Sequence, residues 1–194
     1  MRAAALLMLV ASTIAAGGCR HRTASPASSS AMTASSTMPS TTQAAVAAGS
    51  CRRYECHSFS TDVPSDWKEF KDPESVLALK GPSNVELDLA IPHLPPHVPG
   101  IIPLPAVQSG YVDDVKKRMT NVKLVESTSP SVAGAYARRF TIEGTDKGTP
   151  KKLLVYAIVK GDHLYVVTGE GPADQFDKLV PVVNRVADSW KWTK

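Results

Sequence analysis

Histidine residues are the first side chains in this sequence that could bind a metal ion or transfer a proton. Two of them form the close pair His93-Leu-Pro-Pro-His97. On a helix this spacing would present two imidazole nitrogens to one metal ion, but Pro95 and Pro96 exclude a helix there. In extended structure the two side chains could still converge. The spacing nevertheless favours two solvent-exposed loop histidines over a metal site.

The three cysteines divide into Cys19 near the N-terminus and a pair, Cys51 and Cys56. In an exported protein the pair is expected to form a disulfide, because oxidising compartments preserve such bonds. Closing so short a loop would stabilise the fold by only about 2 kcal/mol. A metal site made of Cys51, Cys56 and His57 is the alternative. It is disfavoured because zinc-binding cysteines are usually spaced by roughly two to four residues and no second pair follows.

The sequence contains no arrangement that is typical of a catalytic nucleophile. It has no Gly-x-Ser-x-Gly motif, and each cysteine has a structural explanation. The acidic pairs Glu86/Asp88 and Asp113/Asp114 are expected on solvent-exposed faces. The run Gly169-Glu-Gly171 lacks the lysine and the spacing of a phosphate-binding loop and is expected to be a turn. We therefore predict no catalytic residue, no cofactor and no metal site.

Arg138 is a charged residue that falls on the apolar face of a predicted strand. By the alternation of β-structure it shares that face with Tyr136, Phe140 and Ile142. A guanidinium group in this position would line a pocket or pair with a buried carboxylate. A bulge or a shift of strand register would place it in solvent instead. Arg138 is therefore the candidate pocket residue.

Charged and aromatic residues are distributed unevenly along the chain. All acidic and all aromatic residues lie after residue 50. The 194-residue chain has a net charge of +4 and a pI of about 9.0. Residues 51–194, however, contain 19 basic and 18 acidic residues and are almost neutral. This balance argues against a nucleic-acid partner.

Residues 1–18 have the pattern of a secretory signal peptide. One basic residue precedes an apolar run from Ala3 to Ala16, which is shorter than the roughly 20 residues of a membrane-spanning helix. Followed by Cys19, the segment resembles a bacterial lipoprotein signal, which implies that Cys19 carries a diacylglyceryl group and begins the mature chain. Leucine is usual where Ala16 stands, so an ordinary signal peptide is the alternative. Arg20, rather than aspartate, implies the outer membrane, with the protein facing the periplasm.

Residues 19–50 are predicted to be a disordered tether. From Arg20 to Ser50 there are 31 residues, of which 21 are Ala, Ser or Thr, and none is acidic or aromatic. Such a composition buries too little apolar surface to offset the entropy lost on ordering. A glycosylated stalk of the mucin type is the alternative for the same composition.

Residues 51–194 alternate predicted strands with two predicted helices. The apolar residues Val107, Tyr111, Val115 and Met119 recur at helical spacing, with Ser109 as a candidate cap. Six prolines between Pro92 and Pro105 predict an extended loop before this helix. The second helix is expected after Pro172, with Pro181 kinking or dividing it. The predicted strands are Phe59–Val63, Val76–Leu79, Val85–Ile91, Val122–Ser127, Ala135–Glu143, Leu153–Val159 and His163–Thr168. This order predicts an α+β fold with an antiparallel sheet.

Several short patterns of this domain are similar to those of one known superfamily. They are Val63-Pro64-Ser-Asp-Trp67, Gly110-Tyr111-Val-Asp-Asp114, Phe140-Thr-Ile-Glu-Gly144-Thr, the hairpin Val155–Thr168, and Phe176 with the closing Ser189-Trp190. Over residues 58–192 the chain resembles the PsbP-like superfamily. That group includes a photosystem II extrinsic subunit, a Ran-binding nuclear-transport factor and many bacterial lipoproteins. The resemblance implies an antiparallel sheet sandwiched between helices, and it supplies no catalytic residue.

Anchor, tether and fold together predict a lipid-anchored, exported and non-enzymatic binding module of the cell envelope. Its head is expected to recognise a protein partner or a small ligand, for example in assembly of an envelope complex. The lipid anchor makes the membrane a further partner. The alternative is a periplasmic metal-binding protein or enzyme that uses His93 and His97. A third class is a purely structural spacer without a partner.

Overall fold

The computed structural model describes residues 50–93 and 102–193 in full, and residues 20 and 21 as backbone only. The signal peptide, Cys19, His97 and most of the predicted tether lie outside these residues. The strands are β1 (Arg20–His21), β2 (Cys51–Glu55), β3 (Phe59–Pro64), β4 (Lys68–Glu69), β5 (Leu77–Lys80), β6 (Glu86–Ala90), β7 (Thr120–Thr128), β8 (Ser131–Val132), β9 (Ala135–Asp146), β10 (Thr149–Lys160), β11 (His163–Pro172) and β12 (Lys191–Trp192). The α-helices are α1 (Leu104–Arg118) and α2 (Phe176–Asp188).

The larger sheet is antiparallel throughout and confirms the predicted α+β class. Its strand order is β4-β5-β6-β11-β10-β9-β7, and β8 pairs with β9. The turn at Gly161-Asp162 joins β10 to β11 in the predicted hairpin, with Ile158 opposite Tyr165. Long neighbouring strands linked by such tight turns satisfy their backbone hydrogen bonds locally.

A smaller sheet of order β1-β2-β3-β12 was not predicted. Strand β12 follows α2 and pairs with the start of β3, so the C-terminal residues close onto the N-terminal part of the domain. Strand β1 lies within the predicted tether and pairs with β2, with Arg20 opposite Glu55. The disorder predicted for the remainder of residues 19–50 stays a prediction.

Strand β10 separates two hydrophobic clusters, because its successive side chains point to opposite faces of the sheet. Leu154, Tyr156 and Ile158 pack with α2 and the smaller sheet in the larger cluster. Leu153, Val155 and Ala157 pack with α1 in the other. The apolar run from Leu153 to Val159 is thereby explained, because side chains on both faces of β10 are covered.

Both helices depart from the sequence-based boundaries at proline residues. Helix α1 begins at Leu104, ahead of the expected cap Ser109, with Pro105 in its first turn. Proline is tolerated there, since the first N–H groups of a helix have no partner within the helix. Helix α2 runs from Phe176 to Asp188 with Pro181 inside it and is not divided. A short 3-10 turn, Ala173–Gln175, precedes α2 after Pro172.

Candidate functional site

A groove of about 500 Å³ lies between α2 and the segment that follows β3. Its apolar walls come from Pro64 and Trp67 on one side and from Leu179, Pro181 and Val182 of α2 on the other. Sites for small ligands are typically concave, largely apolar and about 300–1,000 Å³ in volume. The groove therefore has the size and lining of a ligand-binding site.

The indole of Trp67 is held in the groove by its contact with Gly81. A Cβ atom at Gly81 would lie 2.5 Å from Cε2 of Trp67, closer than any side chain tolerates. Glycine at this position therefore lets the ring lie directly against the backbone. Trp67 is partly buried and packs against the larger cluster. Its remaining surface is available to a ligand in the groove.

The backbone beside Trp67 is strained at the groove wall. Ser83 has a φ of 56° and Asn84 a φ of 59°, both in the left-handed region. This conformation costs an L-residue roughly 1–2 kcal/mol, least for asparagine. Ser83 lines the groove. Local strain of this kind is common at ligand-binding sites.

Four charged side chains line the groove, and they differ in how they are neutralised. Asp62 is paired with Arg53, whose Nη1 lies 2.9 Å from Oδ1. Within the described part of the chain, neither Asp66 nor Arg185 has a hydrogen-bond or ion-pair partner for its side chain. The ammonium group of Lys178 donates to Oε1 of Gln175 at 3.1 Å and has no carboxylate partner among the described residues. Charges left without a partner beside an apolar wall are suited to a ligand of complementary charge.

Cys51 lies at the rim of the groove, and the predicted Cys51–Cys56 disulfide is absent. The two residues stand at the start of β2 and directly after its end. An extended strand of this length separates their Cα atoms by about 16 Å, whereas a disulfide requires less than about 7 Å. The prediction was wrong because it assumed a loop where β2 forms. Burial of part of the Cys51 side chain raises the pKa of its thiol, against the opposing effect of Arg185.

A second cluster of charges lies on the α1 face of β11, around Glu170. Arg118 Nη1 is 2.9 Å from Glu170 Oε2, and Lys151 Nζ is 2.7 Å from Oε1. Lys151 also pairs with Asp146 at 3.0 Å. Burial alone would raise the pKa of Glu170, but Arg118 and Lys151 together hold it below its ordinary value. The cluster is neutralised by the chain's own residues.

The segment Gly169-Glu-Gly171 is part of β11 and not the predicted turn. A Cβ atom at Gly169 would lie 2.3 Å from Cγ2 of Val183 in α2, and one at Gly171 would lie 2.8 Å from Cγ1 of Val85. The two glycines therefore allow α2 and Val85 to pack closely on one face. Glu170 points to the other face and reaches the basic cluster.

Two of the acidic residues predicted on exposed faces are buried. Glu86 is 6 % exposed and lies 3.8 Å from Nζ of Lys80. Asp114 is 4 % exposed and accepts a hydrogen bond of 3.3 Å from Lys117. Residue spacing alone predicted that these side chains are exposed to solvent. In the folded chain, neighbouring elements cover both of them.

Tyr111 and Thr168 form a buried hydroxyl pair close to Glu170, with 3.0 Å between their oxygen atoms. Burial raises the pKa of Tyr111 to about 12, against the opposing hydrogen bond to Thr168. A cavity beside this pair is lined by Asp72, Asp88 and Arg118, among others. The hydroxyl pair joins α1 to β11 beneath the ion cluster.

Arg138 lies on the α1 face of β9, as the alternation predicted. Its Nε donates to Oε1 of Gln108 at 2.6 Å, and its Nη1 donates to Oγ of Ser129 at 3.2 Å. Ser127 donates to the same amide oxygen of Gln108 at 2.8 Å. Arg138 therefore links β9 to α1 and to Ser129, the residue after β7, and it is not among the residues that line the groove at Trp67. A pocket at Arg138 stays a prediction.

The histidine hypotheses receive no geometric support. His93 is exposed at the end of the first described range, and its predicted partner His97 lies outside the described residues. Among residues 50–93 and 102–193, no group of three or more His, Cys, Asp or Glu side chains is arranged to hold a metal ion.

Sequence reasoning missed the roles of Trp67, Lys178 and Arg185 at the groove. Lys178 and Arg185 are seven residues apart, so they stand two turns apart on one face of α2. The sequence alone shows this spacing. It does not show the opposite wall of the groove, because that wall comes from a distant part of the chain.

No protein-family model and no curated protein matches this chain. Among solved structures, cyanobacterial PsbP (CyanoP) of Synechocystis sp. PCC 6803 is similar, with a TM-score of 0.60, 13 % identity and coverage of 77 % of this chain and 96 % of that protein. The described part of the chain has a PsbP-like fold. LpqN of Mycobacterium tuberculosis, involved in cell envelope biogenesis, is similar to this domain with a TM-score of 0.55 and 11 % identity, over 76 % of this chain and 86 % of LpqN.

The fold implied by the sequence resemblance is thereby confirmed for the described residues. Neither α1 nor α2, the helices within the described ranges, is long and apolar enough to cross a membrane.

Proposed function

We propose that this protein is a lipid-anchored, exported and non-enzymatic binding protein of the cell envelope, and that the groove at Trp67 is its recognition site. The observation that carries the proposal is the groove itself, an apolar cavity of about 500 Å³ whose lining includes charged side chains that have no ion-pair partner among the described residues. The groove accommodates a protein partner's apolar segment or a small ligand.

Two further observations support the location at the envelope. LpqN, which shares the fold, is involved in cell envelope biogenesis. The apolar run near the N-terminus is followed by Gly17, Gly18 and Cys19. This arrangement resembles the lipidation site of bacterial lipoproteins. A tether of residues 19–50 would hold the PsbP-like domain at a distance from an outer membrane that it faces from the periplasm.

Site-specific photo-crosslinking of the full chain in cells tests the recognition site. A photoreactive phenylalanine analogue replaces Val182 in the groove or, as a matched control, Val125 on β7, which is 55 % exposed. We expect an adduct, detected by mass, at position 182 and none at position 125. Equal labelling at both positions, or none at position 182, would contradict the proposed site.

Substitution of Cys19 tests the anchor separately. We expect wild-type protein to incorporate radiolabelled palmitate and to sediment with membranes, and the Cys19→Ser variant to lose both properties. Unchanged sedimentation of Cys19→Ser, with no label in the wild-type protein, would contradict lipidation while leaving the groove untouched.

A further inference from the structure

The lining of the groove at Trp67 indicates which class of ligand it takes. We infer that the groove binds a single-chain amphiphile, with its apolar chain on Trp67 and Val182 and an anionic carboxylate or phosphate group held by Arg185 and Lys178. This inference rests on the proposed function, because it names the ligand of the same site.

An apolar chain fits this groove better than an extended peptide does. Pro64, Pro82 and Pro181 all line it, and proline has no backbone N–H group. Extended peptides are recognised largely through main-chain hydrogen bonds, which need such donors. A hydrocarbon chain needs none. The faces of Trp67 and the side chains of Leu179 and Val182 supply the apolar contact that it requires.

The charges favour an anionic head group. Asp62 is already neutralised by Arg53, which leaves Asp66, Lys178 and Arg185 as the charged lining residues without an ion-pair partner among the described residues. Two of these three are cations. Both belong to α2, on either side of Pro181 and Val182, about 10 Å apart along the helix axis.

Arginine is suited to this role because its planar guanidinium group donates two parallel hydrogen bonds to a carboxylate or a phosphate. The side chain of Arg185 is exposed at the rim of the groove. Trp67 and Arg185 line the same cavity, so one amphiphile could contact Trp67 with its apolar chain and Arg185 with its head group.

Three decyl compounds of different charge, each below its micellar concentration, test this inference on the full-length protein. Decyl phosphate, decyl maltoside and decyltrimethylammonium are titrated calorimetrically, and the indole N–H signal of Trp67 is followed by NMR. We expect decyl phosphate to bind at least tenfold more tightly than decyltrimethylammonium and to shift the Trp67 signal.

Substitutions on α2 and α1 provide the matched comparison. Arg185→Gln and Lys178→Gln are each expected to weaken decyl phosphate binding about tenfold, the loss of one charge-assisted contact. Lys116→Gln on α1 is the control, because this lysine is exposed and pairs with Asp113 at 2.9 Å. The Lys116→Gln variant should bind decyl phosphate with the affinity of the wild-type protein. Thermal unfolding of each variant separates a loss of binding from a loss of folding.

The outcomes distinguish the ligand class from the site. Equal binding of the three decyl compounds, with no effect of Arg185→Gln, would overturn the anionic head group. Tightest binding of decyltrimethylammonium, abolished by Asp66→Asn, would reverse the assigned charge. No binding of any of them would overturn the amphiphile. In that case an adduct at position 182 would still support the proposed recognition site, with a protein partner as its occupant.

Discussion

Charged residues meet two different environments on the two sides of the larger sheet. On the α1 side, Glu170 is 6 % exposed and contacts both Arg118 and Lys151. On the α2 side, Arg185 stands beside an apolar groove with no side-chain partner in the described part of the chain. The charges of the first cluster are paired within the chain. Arg185 has no such counter-charge among the described residues.

The comparison shows that burial alone does not identify a binding site. A buried ion pair that satisfies its own hydrogen bonds holds elements together and presents little to a ligand. A charged group beside an open apolar wall contributes little to folding and is available for recognition. The two regions should therefore respond oppositely to substitution. Changes near Glu170 should affect stability, and changes near Arg185 should affect binding.

The largest effect on stability is expected from Gly169→Ala. The added methyl group would lie 2.3 Å from Cγ2 of Val183 and displace α2 from the sheet. We expect the free energy of unfolding to fall by about 3 kcal/mol, measured by urea denaturation. The control is Gly134→Ala, where nothing lies within 4 Å of the added atom. Because the φ of 77° at Gly134 is unfavourable for alanine, we expect the free energy of unfolding of Gly134→Ala to fall by about 1 kcal/mol. Equal losses in the two variants would contradict the prediction that the close packing of α2 on β11 requires glycine at position 169.

Glu170→Gln should give the next largest effect. Removal of the carboxylate charge leaves the mostly buried Arg118 without an ion-pair partner among the described residues and leaves Lys151 with Asp146 alone. Breaking a fully buried pair costs about 3–5 kcal/mol, and solvent access to these two cations reduces the expected loss to about 2–3 kcal/mol. Glu126→Gln is the control, since this carboxylate pairs with Arg139 but is 50 % exposed. Its loss should stay below about 1 kcal/mol. Similar losses in both variants would contradict the structural role of the Glu170 cluster.

The same cluster predicts how stability depends on pH. The pKa of Glu170 lies below its ordinary value of 4.5, because Arg118 and Lys151 outweigh the effect of burial. The unfolded chain therefore binds a proton first, so the contribution of Glu170 is complete above about pH 4.5 and is lost as the pH falls through the lower, folded-state pKa. Unfolding followed by fluorescence between pH 7 and pH 2 should show a shallower acid limb in Glu170→Gln. An unchanged slope would indicate that other carboxylates dominate.

The smallest effect on stability is expected from Arg185→Gln, the variant that should impair binding. Its exposed side chain makes no contact that folding requires, so the free energy of unfolding should change by less than about 0.5 kcal/mol. Thermal or urea unfolding checks this directly. A loss comparable to that of Glu170→Gln would assign Arg185 to the structure of α2 and remove the contrast between the two regions.

Much of the fold followed from local patterns in the chain. The alternation around Leu87 and Leu89 predicted β6, and the Gly161-Asp162 turn predicted the hairpin of β10 and β11. The apolar stripe of Tyr111 and Val115 predicted α1. These elements were predictable because each periodicity is carried by residues that are neighbours in sequence.

The candidate sites were mostly not predictable. The Gly169-Glu-Gly171 segment has the composition of a turn, and only contact with Val183 and Val85 explains why it continues as a strand. The spacing of Cys51 and Cys56 suggested a closed loop, but the residues between them belong to β2, which pairs with β3. Trp67 was noticed only as part of a family pattern, because no local signal connects it with α2.

By itself, the sequence determined the order and type of most elements, the near neutrality of residues 51–194 and the antiparallel α+β class. Tertiary structure decided which charges are buried in pairs and which are left beside the groove. Arg118 and Glu170 are 52 residues apart, and the two walls of the groove are separated by more than a hundred. Periodicity is encoded by near neighbours, whereas the environment of a charge depends on residues that only the folded chain brings together.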